Sequence, residues 1–85
     1  MDMGNNPQLV YKSRDLSESA AILCCGIDFF TTEQDPNSRV YFVFPESPEL
    51  QAIIKAYWDC TLEVKARYFS DALKTLKNVI YKDRL

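Results

Sequence analysis

The chain has 85 residues, of which 47% are hydrophobic, 13% aromatic and 26% charged, with a formal net charge of −2 and no histidine. That length allows one domain, because two cores would each be too small to fold unaided. The composition excludes a disordered chain, and the longest charge-free apolar stretch, Ala20 to Ile27, is far below the roughly 18 residues that a membrane-spanning helix needs.

Residues 1–7 are polar and broken by Gly4 and Pro7, which predicts a flexible lead-in to a single domain over 8–85. They hold no basic patch followed by an apolar run, so a secretory signal is not expected and a cytoplasmic protein is. Gln8 to Ser13 has a strand composition. A helix follows. Asp15 and Glu18 have capping-box spacing, Leu16, Ala20, Leu23 and Cys24 share one face, and Gly26 supplies a stop.

Ile27 to Thr32, with Phe29, Phe30 and two threonines, reads as a second strand, and Glu33 to Ser38 as the turn after it. Arg39 to Phe44 is the clearest strand: five apolar residues in a row follow Arg39, and Pro45 stops them. Successive side chains point opposite ways, so Val40, Phe42 and Phe44 share one face and Tyr41 and Val43 the other. One layer of helices cannot shield both faces, and a second copy of the chain is an expected source of cover.

Ser47, Pro48 and Glu49 form a helix start, a capping hydroxyl, a first-turn proline and an acid favoured by the dipole. Leu50, Ile53, Ile54, Tyr57 and Trp58 recur at helical spacing to about Asp59, which predicts core packing for Tyr57 and Trp58. Thr61 to Val64 is a connection, a fourth short strand, or the approach to the last helix. That helix, from about Lys65 to Lys82, carries the apolar stripe Phe69, Ala72, Leu73, Leu76, Val79 and Ile80. The order is β-α-β-β-α-(β)-α: an α+β domain with a small, mainly antiparallel three-stranded sheet and three helices. A real strand at 62–64 would make it a split βαβ pattern of ferredoxin-like type.

Chemistry has little to work with. Without histidine the usual general base is missing, and the twelve acids are scattered over helix starts and turns, so no catalytic residue is expected. Gly4 and Gly26 lie too far apart for a phosphate-cradling loop. Cys24, Cys25 and Cys60 are an odd count with an adjacent pair, which argues against a disulfide framework. They read as small buried hydrophobes, with no fourth ligand for zinc. No cofactor, metal or small-molecule substrate is expected.

What is left is recognition. Tyr41, Tyr68 and Tyr81 are the candidate protein-interface residues, since tyrosine is enriched at interfaces. Charge supplies the alternative: residues 1–63 hold ten acids against four bases, whereas residues 64–85 hold six bases against two acids. Arg67, Lys74 and Lys77 share one side of the last helix and are the candidate nucleic-acid contacts; a solvated helix face is the competing reading. Arg39 to Phe44 lacks the glycine of the base-stacking strand in RNA-recognition domains, so a buried central strand is expected.

Asp15-Leu16 with Ala20-Ala21 and Leu23 to Gly26, then Arg39 to Phe44, Tyr57-Trp58 and Leu73 to Tyr81 resemble a family of small uncharacterised domains found in phage and prokaryotic genomes. The resemblance covers roughly residues 10 to 82. The family often has a glycine near the turn where this chain has Cys60-Thr61. The resemblance implies a microbial or mobile-element origin and no catalytic residue, and it suggests a small protein that acts by binding host machinery. A non-catalytic protein-binding domain, as a homodimer and as a modulator or inhibitor of a host system, is the function expected first. A nucleic-acid-binding accessory protein comes second, and no membrane partner is expected.

Overall fold

The structure, a computed structural model, describes residues 9–83. The elements in chain order are β1 (Val10–Ser13), α1 (Leu16–Cys24), β2 (Thr31–Gln34), β3 (Val40–Pro45), α2 (Pro48–Trp58) and α3 (Ala66–Asp83). This is the expected α+β class, with three helices and a three-stranded antiparallel sheet of order β1-β3-β2. The flexible lead-in expected at 1–7 lies outside the described residues.

Both predicted helix starts form as their residues dictate. The Asp15 side chain accepts the Glu18 N–H at 2.8 Å, and Ser47 Oγ accepts the Leu50 N–H at 3.0 Å with Pro48 in the first turn. The two helices also end alike. Gly26 N–H bonds Leu23 O while Ile27 N–H bonds Ile22 O; Cys60 N–H bonds Tyr57 O while Thr61 N–H bonds Ala56 O. This paired closure needs a left-handed residue, and Gly26 (φ 90°) and Cys60 (φ 65°) fill the two positions. Cys60 thus takes a conformation that glycine adopts at no steric cost.

The core forms between the sheet and the helices. Phe42 and Phe44 from β3, Ala20 and Ile22 from α1, Leu50 from α2 and Leu76 from α3 are buried together. Each large apolar side chain so buried contributes about 1.5–3 kcal/mol. The predicted stripe of α3 lies against this cluster in full. Helix α1 packs against both α2 and α3, which explains why Ala20, Ala21 and Ile22 are all buried although three consecutive residues cannot share one helical face.

Three expectations are corrected. The second strand spans Thr31–Gln34 rather than Ile27–Thr32. Phe29 turns its ring edge-on to Phe42 (5.0 Å) and Phe44 (6.2 Å), and Phe30 gives its N–H to Val43, the residue that Thr31 also opposes. The chain therefore enters the sheet through a bulge, because Phe29 packs in the core instead of pairing in the ladder. The turn is correspondingly shorter, held by Asp35 N–H to Arg39 O and by Ser38 at φ 69°. Residues 61–64 form no strand: the first two close α2 on Ala56 O, so the split βαβ alternative does not hold among the described residues. Cys60 is exposed rather than buried, and Cys24 and Cys25 are half-buried.

On the strand face away from the core, Val43 is sheltered without a second layer of helices: it is 2% exposed. In register it lies between Lys12 and Thr31, and the Lys12 ammonium reaches across β3 to Glu33 at 2.9 Å.

Candidate functional site

The feature with the most chemistry is a carboxylate inside the fold. Glu18, on the first turn of α1, is 3% exposed and forms no ion pair among the described residues. Neutral donors satisfy it instead. Tyr11 OH lies 3.0 and 2.9 Å from its two oxygens, Ser13 Oγ donates to Oε1, and Trp58 Nε1 donates to Oε2 at 2.8 Å. Ser19 Oγ donates in turn to Ser13 Oγ at 2.9 Å. Period-two alternation puts Tyr11 and Ser13 on the same face of β1, and capping spacing puts Glu18 where both can reach it.

A carboxylate offers about four acceptor sites, and three donors, Tyr11, Ser13 and Trp58, occupy most of them. Glu18 is therefore committed to positioning its donors. Burial and the hydrogen bond to Glu18 push the Tyr11 hydroxyl up to about 12 from an ordinary 10.0. Desolvation also raises the thiols of Cys24 and Cys25, which keeps both in the unreactive protonated form.

The consequence reaches the surface at Trp58. Its core packing, expected from the α2 stripe, is not observed: Trp58 is 57% exposed, while Tyr57 is half-buried. The indole is nonetheless fixed, by Glu18 at its N–H and by the Tyr57 ring edge-on at 4.9 Å. Trp58 borders a cleft of about 530 Å³ with Tyr11, Lys12, Arg14 and Tyr41. Tyr57 lines a second, mainly apolar crevice of about 260 Å³ with Ala21, Cys60, Leu62, Val64 and Phe69.

The tyrosines singled out from sequence lie on separate surfaces. Tyr41 is half-buried on the outer sheet face, its hydroxyl bonded to Asp35 Oδ2 at 3.2 Å. Tyr68 and Tyr81 are 58% and 65% exposed, but thirteen residues along α3 separate them by about 20 Å and turn them well apart around the axis. Tyr68 lies under the Lys65 ammonium at 5.5 Å. Arg67, Lys74 and Lys77 are exposed, and Arg67 lies 3.8 Å from Asp71. Among the described residues, no group of three or more metal-ligating side chains exists and no helix is long and apolar enough to cross a membrane.

Glu18 and Trp58 were not legible as a pair. Glu18 was visible only as a capping residue, and Trp58 stands forty positions away. Alternating polar groups at Tyr11 and Ser13 on a strand that covers a core were the one local signal.

This small three-stranded α+β domain, with a neutral-donor cage around a buried acid, is of a class that comparison places directly. A domain family of unknown function, DUF5659, matches residues 10–82, and the chain belongs to that family. No curated protein and no solved structure matches the chain.

Proposed function

We propose that this domain is a non-catalytic protein-binding module whose contact surface centres on Trp58. The observation that carries this reading is an indole that is 57% exposed and yet held at both its N–H and its ring edge. Tryptophan is among the residues that dominate interface energetics, and an anchor already held in place loses little conformational freedom on binding. The two flanking clefts give a partner's side chains somewhere to enter on either side of the Tyr57–Trp58 pair. The absence of histidine and the engagement of Glu18 by three structural donors support a binding role over a catalytic one. The narrower forms of the proposal are self-association as a homodimer and modulation or inhibition of a host system by a phage or mobile-element protein. Cytoplasmic action belongs with them.

The test compares wild type with Trp58→Ala and Tyr81→Ala in quantitative affinity capture, with circular dichroism to confirm folding. A partner lost by the first variant and kept by the second supports the proposal. Equal capture by all three proteins contradicts it. Sedimentation over a range of concentrations tests the homodimer.

The alternative is contact with nucleic acid through Arg67, Lys74 and Lys77. Lys74 and Lys77 favour it, being exposed and in no ion pair among the described residues, whereas Arg67 lies beside Asp71. Phosphate contacts lose affinity steeply as salt rises, so a salt titration separates the two readings.

A further inference from the structure

We propose that a cleft at the end of the sheet, between Arg14 and Arg39, binds a phosphate ester group. The two arginines come from distant segments, one at the β1–α1 junction and one at the start of β3. They meet at a cleft of about 480 Å³ whose other walls include Asp15, Ser38, Val40 and Ile80 of α3. Both are exposed, and neither forms an ion pair among the described residues, unlike Lys12, Lys55 and Arg67.

The carboxylates nearby are already engaged. Asp15 Oδ1 caps α1 by accepting the Glu18 N–H. Asp35 Oδ1 accepts the N–H groups of Asn37 and Arg39 at 2.9 Å each, and its Oδ2 accepts Tyr41 OH. Backbone N–H bonds from Arg39 and Asn37, the Tyr41 hydroxyl and the nearby Arg39 charge hold the Asp35 carboxyl below its ordinary range, yet Arg39 and Asp35 form no ion pair. Two guanidinium groups thus stand against one capping carboxylate at the cleft itself.

Both arginines are rooted in fixed backbone. Arg14 lies between Ser13, paired with Phe42, and the capping residue Asp15; the Arg39 carbonyl accepts the Asp35 N–H, and the Arg39 N–H donates to the Asp35 carboxylate. The positive end of α1 begins at the same place. A pair of guanidinium forks matches the oxygens of phosphate better than a point charge does, and Ile80 and Val40 give an apolar wall for whatever the phosphate is esterified to. The ligand class is a phosphate monoester, from a nucleotide or from a phosphorylated side chain.

The test titrates the full ¹⁵N-labelled chain at low ionic strength with inorganic phosphate, adenosine monophosphate and a phosphoserine peptide. Adenosine and the unphosphorylated peptide serve as blanks. Saturable shifts at Ser38, Arg39 and the arginine side-chain N–H signals are expected with a phosphate ester and not with the blanks. The tighter of the two esters identifies the source. Arg14→Gln and Arg39→Gln each weaken binding about tenfold or more, whereas Lys74→Gln changes it less than about twofold. Both arginines are exposed, so their variants should keep the wild-type spectrum elsewhere. No saturable shift with either ester, or unchanged affinity in both arginine variants, overturns the proposal.

Discussion

Trp58 gives its indole N–H to Glu18 at 2.8 Å across forty positions of sequence, and so ties the exposed end of α2 to a carboxylate buried under α1. One acid thereby fixes the geometry of a surface aromatic. Its removal should be felt in stability before it is felt in binding.

Glu18→Ala should destabilise the domain by about 2–4 kcal/mol, because it leaves Tyr11, Ser13 and Trp58 without their acceptor. Trp58→Phe, which leaves the carboxylate two donors and removes the third, should cost about 1 kcal/mol. Urea unfolding monitored by circular dichroism measures both. A loss below about 0.5 kcal/mol for Glu18→Ala would mean that the cage does not support the fold.

The Tyr11 hydroxyl supplies a pH dependence with a definite sign. Its folded value of about 12 lies above the ordinary 10.0, so the native state holds the proton more tightly than the unfolded chain. The resulting stability is fully present below pH 10 and is lost as pH rises through 12. Urea midpoints should fall across that window, and Tyr11→Phe should fall less steeply over it.

Cys60 and Gly26 form a matched pair. Replacing Cys60 by glycine removes a left-handed penalty and should stabilise by about 1 kcal/mol. Gly26→Ala should destabilise by about 1 kcal/mol through backbone strain alone, since nothing lies within 4 Å of the added methyl group. Thermal melts of the two variants should shift in opposite directions.

Much of this fold could be read locally. Asp15, Ser47 and Pro48 announce their helices by capping chemistry, and the α3 stripe announces its buried face by spacing. Local preference gives way where distant packing overrides it. Phe29 has strand composition and packs in the core against Phe42 and Phe44; Trp58 sits on an apolar stripe and stays 57% exposed, with only its N–H reaching inward to Glu18. The cleft between Arg14 and Arg39 was equally hidden, because it exists only once the hairpin folds back beside the start of α1.

The Lys12–Glu33 pair bridges the outer sheet face with both side chains about half exposed. A double-mutant cycle should give a coupling of about 0.2–1 kcal/mol that falls with added salt. A coupling above about 2 kcal/mol would show that the pair is less solvated than its exposure implies.

Trp58 is the only tryptophan in the chain, so its fluorescence reports on the proposed contact surface without a label. The most direct measurement is acrylamide quenching of that emission, free and in complex with whatever protein the domain captures. The binding reading predicts that quenching drops severalfold in the complex. A complex in which Trp58 stays as accessible as in the free protein would contradict it.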